Sequence, residues 1–407
     1  MVLKGAYVLK DAYSSPERLD VSVENGKIVA VGKDLSGSEV LDLSGKLLAP
    51  AFYNTHTHSA MTLMRGVSDD DDFNTWLFKK VLPLEEKLNG RMVYYGTMVA
   101  MMEMARNGIA GFVDMYFFLE DIARAVLDFG MRALITRGLV DDGGDDGGRL
   151  EENVEFHKKW SGKDGRIFAG LGPHSPYTCS VGYLKRVADV ARVEEMPVTI
   201  HLYEAAWERD RYDARDVLEV FDGVKIIVAH AVQFKEEEVG VLKGEEIFVS
   251  HNPSSNLKLG NGVAKVAEMV KEGVKVSFGT DGAASNNTLD IRHEMRLASL
   301  LQKMKDPTLM RVEEVLDMAT RIGAMAMGVN GGVLEVGKEA DIAVYDLSDP
   351  SCLPIQNLKS HLVHSSCVVY ATMVKGRWVY FDGEYPNVDP KEVMRGFKKA
   401  AKELLEV

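Results

Sequence analysis

The stretch Leu47-Leu48-Ala49-Pro50-Ala51-Phe52-Tyr53-Asn54-Thr55-His56-Thr57-His58 joins an apolar run to two histidines. The apolar run, residues 47–53, predicts a β-strand, and residues two apart in a strand point to the same side. His56 and His58 can therefore direct both imidazole rings at one point. Neutral imidazole is a common protein ligand for zinc and similar divalent ions. Taken alone, the spacing fits equally well two histidines that end a strand without binding a metal.

The bulk composition is that of an ordinary globular protein. The chain has 407 residues, of which 46% are hydrophobic and 27% charged, enough for a large domain and a small one. A net charge of -13 argues against a nucleic-acid partner. No signal peptide and no bilayer-spanning apolar run are predicted, so we expect no membrane partner and a cytoplasmic location. Cys179, Cys352 and Cys367 are an odd, scattered set, which fits a reducing cytoplasm and offers no cysteine metal motif.

Short apolar segments alternate with helical segments through the middle of the chain, which is typical of parallel βα units. Eight such units predict an α/β fold built as a (β/α)8 TIM-type barrel. The eight candidate strands cover residues 47–54, 111–115, 132–136, 167–171, 198–200, 225–229, 247–250 and 275–279.

Both ends of the chain carry short strand-like segments instead. Asn25-Gly26 is a strong hairpin-turn signal, and strand-like segments return after residue 331. We infer a small β domain assembled from both termini, with a charged amphipathic helix at residues 391–405. The predicted divisions are residues 1–49 for the first part of the small domain, 50–330 for the barrel and 331–407 for the second part.

Polar side chains follow the candidate strands at their carboxyl ends, where chemistry sits in such barrels. Their recurrence at this one end predicts a functional site there. These side chains are His56, His58, Tyr116, Arg137, His174, His201, Glu204, His230, His251 and Asp281.

Three imidazoles and one carboxylate, from His56, His58, His201 and Asp281, make a plausible ligand set for one divalent metal. Zinc, Fe²⁺ and Ni²⁺ all suit this ligand set. A catalytic zinc keeps one position open for water, so four protein ligands require five-coordination or a loosely bound Asp281. A two-metal site would use a carboxylated lysine on the fourth strand, but residues 166–172 contain no lysine.

The neighbouring polar residues suit proton transfer. Glu204 lies three residues after His201 and can protonate a ring nitrogen, while His230 can orient the attacking water. Asp281 can accept and return a proton of that water. Together they suit hydrolytic attack on an amidine-like ring carbon with loss of ammonia. The alternative for each residue alone is structural: a hydrogen-bonded interior histidine or a turn aspartate.

The motifs of the chain resemble the amidohydrolase superfamily, and more narrowly its branch of chlorohydrolases and aminohydrolases. The likeness covers essentially the whole chain. It rests on residues 50–58, 61–66 (Met-Thr-Leu-Met-Arg-Gly), 201–204 (His-Leu-Tyr-Glu), 250–259 (Ser-His-Asn-Pro-Ser-Ser-Asn-Leu-Lys-Leu), 279–282 (Gly-Thr-Asp-Gly) and 337–341 (Gly-Lys-Glu-Ala-Asp).

This resemblance implies a β-sandwich formed by both termini, a mononuclear zinc site, and Glu204, His230 and Asp281 as catalytic residues. Glu204 would protonate adenine N1, water would attack C6, and Asp281 would pass a proton to the departing amine. The implied reactions convert S-adenosylhomocysteine to S-inosylhomocysteine and 5'-methylthioadenosine to 5'-methylthioinosine, with release of ammonia.

The resemblance also implies residues that bind the substrate, in addition to Glu204 and Asp281. Arg137 and Arg149 would hold the carboxylate of the amino-acid tail, since guanidinium groups suit carboxylates. Glu85 would accept from the ribose hydroxyls, His174 would contact the purine and Trp76 would pack on the ligand. Arg149 belongs to the glycine-rich loop that starts at residue 143, where it could instead pair with a nearby glutamate.

Three alternatives stay open at this point. The same scaffold could deaminate another ring amine, such as guanine, cytosine or an s-triazine, or act on an N-formimino substrate. It could be a two-metal cyclic amidase or dipeptidase, or a barrel without catalysis. We expect a small-molecule substrate as the partner, and the sequence leaves a homo-oligomer open.

Overall fold

The computed structural model describes residues 1–141 and 147–406. Its strands form two eight-stranded sheets. The strands are β1 Val2–Val8, β2 Glu17–Glu24, β3 Lys27–Gly32, β4 Val40–Asp42, β5 Lys46–Pro50, β6 Phe52–Thr57, β7 Ile109–Tyr116, β8 Arg132–Leu139, β9 Ile167–Pro173, β10 Val198–Leu202, β11 Ile226–His230, β12 Ile247–His251, β13 Lys275–Phe278, β14 Ile342–Asp346, β15 Val369–Val374 and β16 Arg377–Phe381.

Helices connect the strands on the outside of the barrel. The α-helices are α1 Leu82–Glu85, α2 Gly90–Ala105, α3 Leu119–Phe129, α4 Gly148–Trp160, α5 Val181–Val193, α6 Ala214–Val220, α7 Pro253–Lys258, α8 Val266–Glu272, α9 Ala283–Asn286, α10 Ile291–Lys303, α11 Val312–Asp317, α12 Gly323–Met327, α13 Leu358–His364 and α14 Pro390–Leu405. Short 3-10 helices cover Ser59–Met64, Lys163–Gly165, Ala206–Asp210, Glu236–Leu242 and Pro350–Cys352, and π-helical turns cover Thr75–Val81 and Met318–Ile322.

The central sheet confirms the predicted (β/α)8 barrel. Strands β6 to β13 lie in sequence order, and each pairs in parallel with the next. The first and last strands meet where Thr55 Oγ1 lies 2.7 Å from Ser277 Oγ. These strands are rich in apolar residues and almost wholly buried, as expected for a parallel sheet covered by helices. All eight carboxyl ends therefore open on one face.

The first candidate strand, residues 47–54, was wrong as a single element. Strand β5 ends at Pro50 and pairs with β1 and β14 in the outer sheet, whereas β6 starts at Phe52 and begins the barrel. Only Ala51, fully buried, separates the two strands. Both strands lie in apolar surroundings, so the run of hydrophobic residues carries no signal of the change from one sheet to the other.

The second sheet combines strands from both termini, which confirms the predicted small β domain. Its order is β16-β15-β14-β5-β1-β2-β3, and β4 pairs with β1. Asn25 and Gly26 adopt φ angles of 49° and 80° in the β2–β3 turn, as the hairpin signal predicts. The divisions at residues 49 and 330 stay a prediction about where the units separate.

A buried ionic cluster joins the small sheet to the base of the barrel. Asp341 accepts hydrogen bonds from Tyr53 Oη (2.7 Å), Arg132 Nε (2.8 Å) and the Lys375 backbone N–H (2.7 Å). Arg132 and Asp341 are only 2% and 1% exposed. An isolated charge buried between the small sheet and the barrel would destabilise the fold. The Asp341–Arg132 ion pair avoids this and links the two sheets.

Two of the three cysteines, which are scattered in the sequence, lie next to each other in the structure. Cys352 and Cys367 are buried and joined by a disulfide, with their Cα atoms 5.4 Å apart. Cys179 is buried and free. Nothing among the helices of the described residues is both long and apolar enough to cross a membrane.

We expect Asp341→Asn to destabilise the protein by about 3 kcal/mol, because the buried Arg132 then loses one of its two carboxylate partners and keeps only Glu339. Chemical unfolding followed by circular dichroism would measure the change in the free energy of unfolding. Asp210→Asn, the same substitution at an exposed position, is the matched control and should have little effect. Equal stability of the two variants would contradict a structural role for the cluster.

Candidate active site

A cavity of about 510 Å³ opens at the carboxyl ends of the barrel strands. Most of the residues predicted for the site line it: His58, Trp76, Glu85, Arg149, His174, His201, Glu204, His230 and Asp281. The barrel thus brings together side chains that lie more than 200 residues apart in the sequence.

The four predicted metal ligands form a compact cluster at the floor of this cavity. The ligand nitrogens of His56, His58 and His201 all lie within 4.8 Å of one another. Asp281 Oδ1 lies 3.5 Å from His56 Nε2 and 3.2 Å from His58 Nε2. All four side chains are buried, so the cluster is screened from bulk water.

Backbone carbonyls orient two of the histidines. His58 Nδ1 lies 2.7 Å from the Met115 carbonyl oxygen, and His201 Nδ1 lies 2.7 Å from that of His174. A carbonyl only accepts hydrogen bonds, so each Nδ1 donates, and Nε2 carries the lone pair in the neutral ring. Neither ring nitrogen of His56 has a hydrogen-bond partner among the described residues. A metal ion would satisfy this buried group, so the donor set fits a divalent metal.

Electrostatics differ from one residue of the cluster to the next. Burial lowers the pKa of His56 to about 4 and the pKa of His201 well below its usual value. Burial tends to raise the pKa of Asp281, but the imidazoles of His56 and His58 close to its Oδ1 hold it well below its usual range. Burial also tends to lower the pKa of His58, but Asp281, the Met115 carbonyl and Glu85 together raise it to about 9. Asp281 is therefore an anion among histidines, two of which stay neutral.

Glu204 is a buried carboxyl group beside this cluster. Its Oε2 lies 3.6 Å from His230 Nε2. Burial raises the pKa of Glu204 well above its usual value, and the negative charges of Asp281 and Glu208 add to the effect. A carboxyl group with a raised pKa is better suited to donate a proton to a substrate than an ordinary carboxylate.

The backbone that carries Glu204 is held by a second buried glutamate, Glu208, which sequence reasoning missed. Its carboxylate accepts from the backbone N–H groups of Tyr203 (3.0 Å), Glu204 (3.0 Å) and Ala205 (2.8 Å). Nothing in the sequence distinguishes Glu208 from a surface acid at the start of a short helix. Only the turn after β10 reveals the role of its carboxylate.

Three residues at the strand ends adopt left-handed backbone conformations, which are uncommon for residues other than glycine. Tyr203, His230 and Asp281 have φ angles of 52°, 73° and 61°. Such strain is retained where the surrounding structure imposes it, and it clusters at functional sites. Here the sharp turns direct Glu204, His230 and Asp281 into the same cavity.

The predicted substrate residues are only partly gathered at the cavity. Trp76 is anchored by a hydrogen bond from its Nε1 to the Ala284 carbonyl oxygen, at 3.1 Å. Arg149 lies in the first turn of α4 rather than in a loop, and residues 142–146 of the glycine-rich stretch lie outside the described residues. Arg137 is not among the lining residues, because its Nε bonds Glu152 (3.0 Å) and its guanidinium stacks 4.7 Å from the centre of the Phe117 ring.

An apolar wall of the cavity was not predicted at all. In a sequence, such side chains are indistinguishable from core residues, which explains the omission. The wall consists of Met61, Phe73, Leu77, Phe78, Leu82, Met115, Phe117, Val140 and Tyr177.

Comparison with known proteins places this geometry in a family. The amidohydrolase family profile matches residues 47–379. A 5-methylthioadenosine/S-adenosylhomocysteine deaminase from Thermotoga maritima is 56% identical over 99% of both chains. A 5'-deoxyadenosine deaminase from Methanothermobacter thermautotrophicus is 40% identical over 96% of this chain and 98% of its own.

A solved structure agrees with these relatives. An adenosine deaminase from Xanthomonas campestris with bound zinc superposes with a TM-score of 0.94 at 29% identity, covering 100% of this chain and 98% of its own. The family match, the full-length relatives and the shared architecture agree. The chain therefore belongs to the amidohydrolase family.

Proposed function

We propose that this protein hydrolytically deaminates adenine nucleoside thioethers. S-adenosylhomocysteine would give S-inosylhomocysteine, and 5'-methylthioadenosine would give 5'-methylthioinosine, each with release of ammonia. The observation that carries the proposal is the buried Glu204 carboxyl group beside His230 and the histidine–aspartate cluster in one cavity. The relative that is 56% identical over the full chain supports the adenosine-type substrate.

We propose one zinc ion held by His56, His58, His201 and Asp281. Their clustering and the unpaired ring nitrogens of His56 support a divalent metal, and the zinc-bound adenosine deaminase supports the choice of ion. When bound, such a metal supplies a nucleophile at neutral pH by lowering the pKa of water towards about 7.

The protein's own groups would handle the protons. Glu204 would donate to the ring nitrogen next to the amino-bearing carbon, because burial raises the pKa of its carboxyl group. His230, 3.6 Å from Glu204, would orient the attacking water. Asp281 remains ionised and would take a proton from that water and pass it to the departing amine.

The rest of the cavity would recognise the nucleoside. Glu85 and Arg149 offer a carboxylate for the ribose hydroxyls and a guanidinium for the amino-acid carboxylate, while His174 and Trp76 border the ring. The apolar wall suits a thioether better than a charged group. Arg137 would assist at the tail from its position beside Phe117. We keep the cytoplasmic location and a homo-oligomeric state as proposals.

The metal-loaded protein should deaminate S-adenosylhomocysteine and 5'-methylthioadenosine faster than adenosine. The loss of adenine absorbance as hypoxanthine forms measures all three reactions in parallel, and guanine and cytosine serve as comparison substrates. Turnover confined to a bare base would reject the nucleoside thioether and favour another ring amine.

Glu204→Gln should abolish turnover and keep a full complement of metal, because the variant loses the transferable proton but no metal ligand. His201→Asn should lose the metal as well as the activity. Elemental analysis of the two purified variants beside the unaltered protein measures the difference. Loss of metal from Glu204→Gln, or its retention in His201→Asn, would contradict the roles assigned here.

Arg149→Met should raise KM for S-adenosylhomocysteine by about tenfold or more, because it removes a charge-assisted contact to the carboxylate. Adenosine and 5'-methylthioadenosine lack that carboxylate and should be affected little. Steady-state kinetics on the three substrates tests the difference. Equal losses on all three would mean that Arg149 does not bind the tail.

A further inference from the structure

The segment from residue 253 to residue 261, which follows β12, touches all three proposed catalytic residues. It consists of α7 and the turn after it, and most of the motif at residues 250–259 lies in it. The proposed reaction gives this motif no task of its own. Its side chains at positions 255, 256 and 261 are at most 9% exposed, and each hydrogen-bonds one catalytic residue.

We propose that the 253–261 segment is a positioning element that selects which atom of Asp281, His230 and Glu204 faces the substrate. This inference rests on the proposed function, because that function assigns the three residues their roles. Three hydrogen bonds, one to each residue, carry it.

The first hydrogen bond fixes the Asp281 carboxylate. Ser255 Oγ donates to Asp281 Oδ2 at 2.6 Å, and Ser285 Oγ donates to the same oxygen at 2.6 Å. With Oδ2 occupied by two hydroxyl groups, Oδ1 is left to face His56 and His58. The carboxylate is therefore held to one orientation.

The second hydrogen bond sets the tautomer of His230. Its Nδ1 lies 2.8 Å from Asn256 Oδ1, and an amide oxygen can only accept. His230 Nδ1 then carries the proton, and the lone pair of the neutral ring is on Nε2, the nitrogen that faces Glu204. Asn252 Nδ2 lies farther from the same nitrogen, at 3.4 Å, and would favour the opposite tautomer if it donated.

The third hydrogen bond decides where the proton of Glu204 resides. Asn261 Nδ2 donates to Glu204 Oε1 at 3.1 Å, so this oxygen is an acceptor. When Glu204 holds a proton, that proton is therefore on Oε2, the oxygen nearer to His230. A donor at the other oxygen thus directs the transferable proton into the cavity.

The segment is itself firmly held. The Ser254 backbone N–H donates to the buried Glu294 (3.0 Å), and the Asn261 backbone N–H donates to the Asn256 carbonyl oxygen (2.8 Å). Gln233 Nε2 links the carbonyl oxygens of Glu204 and Asn261. The loop that carries Glu204 and the segment therefore form one hydrogen-bonded unit.

Adjacent serines provide a matched test. In the metal-loaded protein, Ser255→Ala and Asn261→Leu should each lower kcat by about ten- to a hundredfold, as outer-shell substitutions do. The dissociation constant of the inosine-type product and the thermal midpoint should stay unchanged. Ser254→Ala is the control, because Ser254 hydrogen-bonds Glu294, through its backbone N–H and its side chain, rather than one of the three catalytic residues. Equal kcat values for Ser254→Ala and Ser255→Ala would overturn the proposal.

A second measurement does not depend on turnover. Nitrogen-15 NMR of histidine-labelled, metal-loaded protein should find His230 protonated on Nδ1, and Asn256→Leu should remove that preference. A His230 ring protonated on Nε2 in the unaltered protein would overturn the proposed hydrogen-bond direction. An unaltered protein that deaminates none of the adenosine-type substrates would reject the proposed function, and the NMR result would still decide the positioning role of Asn256.

Discussion

The buried Asp281 carboxylate remains ionised only because polar groups surround it on both sides. Two serine hydroxyl groups donate to one oxygen, and two imidazoles approach the other. In an apolar environment an unpaired carboxylate would take up a proton, and the cluster would lose its negative charge. This requirement brings the ends of β6, β12 and β13 close together. The two histidines lie at the end of β6, Ser255 follows β12 and Asp281 follows β13.

The same physical requirement explains why Glu204 behaves differently from Asp281. Both carboxyl groups are buried, but Asp281 faces imidazoles that can donate to it, whereas Glu204 receives one amide hydrogen bond and lies near two other carboxyl groups. One environment stabilises the charged form and the other the neutral form. The pKa values of two chemically similar side chains are thus shifted in opposite directions, which suits one to accept protons and the other to donate them.

The sequence predicted those parts of the site in which the residue type itself indicates the chemistry. Histidines and acids at the ends of eight apolar strands predicted the barrel and the face of the site, because the periodicity of parallel strands fixes where their ends meet. The break at Ala51 could not be predicted, since both flanking strands are apolar. Glu208 and Asn261 were missed because a positioning role depends on distances across the fold, and their residue types also occur on ordinary surfaces. The position of Arg137 beside Phe117 depends on a local pairing with Glu152 that composition does not reveal.

The junction at Ala51 has a consequence for motion. A hinge between two units needs several residues with free backbone dihedral angles, but here a single buried residue separates strands that are locked into different sheets. The buried Asp341–Arg132 pair adds a second attachment nearby. Rocking of the small sheet against the barrel would therefore strain this junction. The π-helical turn that carries Trp76 and Phe78 borders the cavity without being part of either sheet, so its movement would change the mouth of the cavity while the junction at Ala51 stays intact.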